Sequence, residues 1–272
     1  MRRTWWVIVI AGAVMLAAFA AFFAVFQLPA GAAPAGLPPA HWLMKADDLA
    51  RAEAAGPMPS FQWVSCGSAQ PFALPCATRG NVPTFTDYYA FRRWVDAGGH
   101  GTVLIDYEGW TLTPRWQQTH LLRYIRLADQ LALEHGVTAI LAPVTGPTTV
   151  PAGSDAMLAA DIQAARYGAA VVDIQRQWMM REPTVYAALV RSWVPRIRAA
   201  NPHVVVIAGL RLSAPRSVTV AMAVTAWRAL RPYVDGFWMN ASIWTAANGG
   251  TGCAVRGCPL RVVKFFQQIG AG

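Results

Sequence analysis

Between residues 84 and 240 the chain alternates two patterns: short unbroken apolar runs, and longer stretches whose apolar positions recur every three or four residues. The first reads as buried strand and the second as amphipathic helix. "FTDYYAFRRWVDAGG" predicts a helix that ends at Gly98 and Gly99, and "TVLIDYEGW" predicts the strand after it. Thr113 and Pro114 suit the N-cap and first position of a long helix. Within it Leu121, Ile125, Ala128 and Ala132 repeat at helical spacing, and His135-Gly136 ends it. "VTAILAPV" is the next predicted strand, followed by a helix over 154–167, the strand "AAVVDIQ", a helix over 183–200, the strand "HVVVIAGL", a helix over 218–230 and the strand "VDGFWMN".

Apolar strands that each lead into an amphipathic helix imply a parallel sheet covered by helices. Two architectures satisfy this, a (β/α) barrel of the TIM type and an open doubly wound sheet. No G-x-G-x-x-G opens a helix, which weakens the nucleotide-binding form of the open sheet. The barrel gains from the polar residues that collect at strand ends: Asp106 and Glu108, Asp173 and Gln175, Arg211, and Asn240. In barrel enzymes that rim holds the active site. Five strands are clear and "SFQWVSC" supplies a sixth, so the expectation is an incomplete or irregular barrel, or one completed by the N-terminal segment.

Ahead of the alternating region, residues 5–26 carry no charge over 22 positions, enough to cross a bilayer core as a helix. Arg2 and Arg3 precede the run, which places the N-terminus in the cytoplasm and the rest of the chain outside. The alternative is a cleaved signal peptide, since Ala30 and Ala32 form an A-x-A site. "LPAGAAPAGLPPA", with four prolines and no periodicity, reads as a tether. The expected organisation is a membrane anchor over 1–27, a tether over 28–40 and an exported β/α domain over 41–272.

Export changes the reading of the cysteines and the charge. Cys66 and Cys76 lie ten apart and Cys253 and Cys258 five apart, and an oxidising compartment favours two local disulfides. Neither pair is C-x-x-C and no histidine is close in sequence, so zinc is the weaker reading. Without Arg2 and Arg3 the chain has 21 basic and 14 acidic residues, a net charge of +7 that reads as an ordinary solvated basic surface or as one drawn to an anionic cell-wall polymer or lipid surface. The arginines are dispersed along helices, which speaks against nucleic acid.

The strand "TVLIDYEGW" carries the candidate chemistry. Val103, Ile105 and Tyr107 share one face, and Leu104, Asp106 and Glu108 the other. The first face packs under helices, and the second points into the barrel mouth, where Trp110 continues the line. Two carboxylates this close separate into one that keeps a proton and one that stays charged, which suits acetal hydrolysis. The alternative is structural pairing with Arg211 or another buried base. Trp110, Trp178, Trp238 and Trp244 fall at strand ends or in the loops beyond, where a ring stacks on a sugar or simply packs. Gln175 and Gln177 offer amide hydrogen bonds to hydroxyls. Ser213 and Ser242 lack a G-x-S-x-G setting, and no H-x-H or H-E-x-x-H occurs. No cofactor is called for, and a metal only if Asp106, Glu108 and Asp173 together bind one.

"IDYEGW" resembles the end of the D-x-x-D-x-D-x-E signature of chitinase-type glycoside hydrolases of family 18. The two earlier aspartates of that signature fall here at Gly101 and Leu104. "FWMN", with Met239 and Asn240, is similar to a later strand of that family. The resemblance implies a (β/α) barrel in which Glu108 is the general acid and Asp106 orients the N-acetyl group of the substrate. The expected function is that of a membrane-tethered, extracytoplasmic glycoside-hydrolase-like domain acting on envelope or environmental glycans. A non-catalytic glycan-binding or scaffolding domain is the alternative.

Protease added outside spheroplasts should digest the domain, which should fractionate with membranes. Recovery from the cytosol would contradict export; a soluble external form beginning near Ala33 would contradict only the anchor.

Overall fold

The computed structural model describes residues 41–66, 81–107, 112–144, 155–212, 218–241 and 257–270. The membrane-span and tether expectations, Glu108, Trp110, Cys76, Trp244 and Cys253 lie outside them. Among the described residues no helix is long and apolar enough to cross a membrane.

Eight parallel strands form one sheet: β1 (His41–Lys45), β2 (Trp63–Ser65), β3 (Thr84–Phe85), β4 (Thr102–Ile105), β5 (Thr138–Leu141), β6 (Val171–Ile174), β7 (Val205–Arg211) and β8 (Gly236–Asn240). Their spatial order is β2-β1-β8-β7-β6-β5-β4-β3, so chain order becomes ring order once the two ends meet. They meet through a seam rather than a full ladder. Ser65 bridges Val82 in parallel, the amides of Asn81 and Val82 donate to the Val64 carbonyl, and the Cys66 amide donates to Val82. The Leu104 amide then donates to Pro83, which ties the same segment to β4.

Around the ring lie α1 (Ala46–Glu53), α2 (Tyr88–Asp96), α3 (Arg115–Gln118), α4 (Leu121–Glu134), α5 (Asp155–Tyr167), α6 (Pro183–Ala200), α7 (Val220–Leu230) and α8 (Gly257–Gln268), with a 3-10 helix at Gln177–Arg181. Of the expected alternatives, an irregular barrel completed from the N-terminal side is the one observed: β1 and β3 supply the strands that the six-strand reading lacked, and the ring closes through the Ser65–Val82 seam. "HWLMK" runs straight into α1 without a turn signal, and β3 has only two residues. Thr84–Phe85 therefore precedes the helix predicted there, and Asp87 caps it by accepting from the Tyr89 amide. The single long helix after β4 is corrected. Pro114 is the N-cap of α3, and His120, with φ −125° and ψ 36°, separates α3 from α4.

Strand alternation divides the core in two. Val103, Ile105 and Tyr107 pack outward with helix residues such as Ile125 and Ala128. Leu43, Trp63, Val82, Leu104, Ile140, Val171, Ile207 and Trp238 fill the barrel. Outside the ring, Trp42 of β1 meets Phe265 and Phe266 of α8 edge-on, at 6.2 and 4.8 Å between ring centroids, fastening the last helix over the first strand. Arg198 on α6 donates to both carboxylate oxygens of Asp235 at 2.9 and 3.0 Å, while the Val206 amide donates to Asp235 Oδ2. This clamps the N-terminal ends of β7 and β8.

Cys66 is disulfide-bonded, and Cys258 stands in the first turn of α8.

Gly236 sets the closest approach of β1 and β8. A Cβ there would stand 2.3 Å from the His41 carbonyl oxygen and 2.7 Å from its Cβ. Gly236→Ala should therefore lower unfolding stability in urea by about 3 kcal/mol or more, the upper end of overpacking costs, because the obstacle is backbone. An unchanged midpoint would contradict the β1–β8 contact.

Candidate functional site

Strand register brings the acidic residues together. Ile105 lies opposite Leu141, and Leu141 opposite Val172. The next residue on each chain, Asp106, Ala142 and Asp173, therefore stand side by side across three consecutive strands, just where the strands end. Asp106 is 1% exposed, Ala142 0% and Asp173 0%, so both carboxylates are inside the protein. The small methyl of Ala142 between them leaves them facing one another. Leu104, on the same face as Asp106, belongs to the barrel interior, which places the expected carboxylate-bearing face of β4 inward.

Charge then decides protonation. Burial pushes the Asp173 carboxyl well above the ordinary range, and the negative charges of Asp106 and Asp161 push it further. One hydrogen bond opposes them: Gln175 Nε2 donates to Asp173 Oδ2 at 3.0 Å. Gln177 Nε2 in turn donates to Gln175 Oε1 at 2.6 Å. Asp173 Oδ1 is buried with no hydrogen-bond partner, which an ionised oxygen could not tolerate cheaply. The split expected between Asp106 and Glu108 lies outside the described residues; within them, the carboxyl raised by its neighbours is that of Asp173, beside Asp106.

Behind β6 is a second buried group. Asp161 on α5 is 1% exposed, and burial raises its carboxyl well above the ordinary range against the opposing charge of Arg176. Arg176, also 1% exposed, has its guanidinium carbon 5.1 Å from the Trp178 ring centroid and 5.0 Å from that of Trp193. Burial lowers the pKa of its guanidinium, while Asp161 works against that shift. Trp178, read as a stacking surface for sugar, holds Arg176 with one face and is 36% exposed.

The remaining expected site residues separate. Arg211 and Asn240 pair in register at the ends of β7 and β8. Arg211 is half-buried, its amide donates to Met180 Sδ at 3.0 Å, and burial first and then Arg181 lower the pKa of its guanidinium. Trp238 lies two residues below Asn240 on the same face and is 2% exposed, packed in the barrel interior rather than presented at the mouth. Among the described residues no group of three or more His, Cys, Asp or Glu side chains is placed to hold a metal ion.

Sequence reasoning passed over Ala142, Gly209, Asp129 and Asp161. The two aspartates had a signal. Asp129 continues the apolar face of Ile125, Ala128 and Ala132, and Asp161 that of Met157, Leu158 and Ala165, at helical spacing.

No family model matches the chain, and no curated protein does. Among solved structures it is similar to the carboxyl transferase domain from Rhizobium etli pyruvate carboxylase, at 11% identity and a TM-score of 0.36, covering 70% of this chain and 34% of that one. It is similar also to the same domain with pyruvate, at 11% identity and a TM-score of 0.43, covering 86% and 46%. The chain spans about a third to a half of the length of those chains.

Asp129 offers a clean electrostatic test away from the mouth. Its oxygens are buried without partners on α4, and burial raises its carboxyl from 3.8 to about 8. Below about pH 4 both folded and unfolded chains hold this proton; from about pH 4 to about 8 only the unfolded chain releases it, so stability falls across that window. Each pH unit of separation is worth about 1.4 kcal/mol. Asp129→Asn should match the native chain near pH 4 and exceed it by several kcal/mol near pH 8 in urea unfolding. An unaltered slope would show that the carboxyl is not buried as described.

Proposed function

We propose that this chain is a membrane-tethered, extracytoplasmic carbohydrate-active domain with glycoside-hydrolase-like chemistry, acting on envelope or environmental glycans. Glu108 is the proton donor and Asp106 its charged partner. The observation that carries the reading is the inward-facing Asp106 at a C-terminal strand end of a β/α barrel, level with a second buried acid, Asp173. Acetal cleavage needs a proton at the leaving oxygen and negative charge near the developing cation. A charged Asp106 beside a neutral Asp173 supplies the second while limiting repulsion. The resemblance of "IDYEGW" to chitinase-type hydrolases supports an N-acetylated sugar as substrate, with Asp106 orienting its acetamido group. The uncharged run over 5–26 supports the tether, and the net charge of +7 beyond Arg3 supports an anionic envelope as the surroundings.

One observation favours a second reading, a glycan-binding or scaffolding domain without turnover. Both acids are almost wholly buried, which also suits a structural network.

Glu108→Gln keeps size and most hydrogen bonding but transfers no proton. Turnover of N-acetylated oligosaccharides, followed by reducing-end release, should fall by about 10² to 10⁴ with binding retained. Asp106→Asn should also lower turnover. Binding of these sugars by the native chain with no product released would favour the second reading. Intact turnover in Glu108→Gln with a lowered melting temperature would make the residue architectural.

A further inference from the structure

The interior position of Gly209 on β7 is filled by a side chain from elsewhere. A Cβ built there would stand 2.6 Å from Gln177 Oε1, 3.0 Å from its Cδ and 3.4 Å from its Cβ. Gln177 therefore lies across β7 in the space that any other residue would occupy. From there its Nε2 reaches Gln175 Oε1 at 2.6 Å, and Gln175 Nε2 reaches Asp173 Oδ2 at 3.0 Å. Tyr186 on α6 holds the strand at that point, its hydroxyl donating to the Gly209 carbonyl at 2.5 Å.

The polarity of this chain of amides matters. An amide that donates to Oδ2 makes that oxygen the acceptor, the carbonyl side of a neutral carboxyl. The acid proton then belongs on Oδ1, the oxygen with no partner of its own. Were Gln175 to turn over, its oxygen would accept the proton from Oδ2 and no donor would be left free. As placed, Gln177 opposes the turn, because its Nε2 already donates to Gln175 Oε1.

We propose that Gln175 and Gln177 are positioning residues that keep the proton of Asp173 on Oδ1, and that the missing side chain at Gly209 is what lets Gln177 reach them. Asp173 is then a fixed hydrogen-bond donor inside the barrel, suited to a neighbouring carboxylate such as Asp106. Its use in catalysis rests on the reading proposed above; the position of the proton does not. The charged and titratable groups acting on Asp173 are Asp106 beyond β4 and Asp161 on α5, with Arg176 acting in turn on Asp161; Asp173 itself acts on Tyr186.

Infrared difference spectra of the full chain test this through the carbonyl stretch of the protonated carboxyl, with Asp173→Asn identifying the band. At neutral pH the native chain should show the band, lowered in frequency by the Gln175 donor. Gln175→Ala should raise it, and Gln177→Ala and Gly209→Ala should raise it as well. Should Gly209→Ala fail to fold, Gln177→Ala alone decides. Absence of the band, or a band moved by Gln175→Ala but unmoved by Gln177→Ala, would overturn the proposal. Failure of the native chain to cleave any glycan, with the band behaving as expected, would remove the catalytic reading and leave the relay standing.

Discussion

Two carboxylates level with one another inside a barrel are the constraint around which the mouth is organised. Desolvation and the charge of Asp106 act in the same direction, and both raise the carboxyl of Asp173 well above the ordinary range. Ala142 supplies the short side chain that leaves the two acids facing each other, and Gly209 supplies the space for the amides that orient the proton. Asp161, behind β6, is itself raised by burial, and Arg176, against Trp178 and Trp193, opposes that shift. A buried arginine held by two indole faces loses less than one in plain hydrocarbon, since ring faces attract cations.

The surface and the interior carry opposite biases. The chain beyond Arg3 is basic overall, while the barrel mouth concentrates acids away from solvent. A basic exterior attracts anions, and negative charge held in a low-dielectric interior stabilises nearby positive charge. Both biases depend on strand alternation, which sends Tyr107 outward to α4 and Asp106 inward from adjacent positions.

Much of this was legible in the pattern of apolar residues. β4 to β8 and the helices after β6 and β7 follow from run length and spacing, and the two faces of β4 follow from alternation alone. β1 was hidden because Lys45 ends the strand and also caps α1, leaving no turn residue to mark the junction. β3 was hidden because two residues carry no periodicity. Ala142 and Gly209 gain their roles only once neighbouring strands are in register, which no single stretch of sequence fixes. The pairing of Asp106 with Glu108 rests on two positions of one strand, whereas a further acid, Asp173, reaches Asp106 from a strand 67 positions later, which spacing along the chain does not reveal. Trp238 looked like a mouth residue because it is near a strand end, but its side chain belongs to the packed layer below.

A double-mutant cycle on unfolding stability tests the Asp106–Asp173 interaction most directly. The native chain, Asp106→Asn, Asp173→Asn and the double variant would be compared by urea unfolding at mildly alkaline pH. Asp106→Asn lowers the cost of keeping Asp173 protonated and Asp173→Asn removes that cost altogether, so the account predicts that the second substitution adds less than the first, with a coupling of about 1 kcal/mol or more. Additivity to within about 0.5 kcal/mol would mean that the two carboxylates do not sense one another, and the account of the mouth would fail.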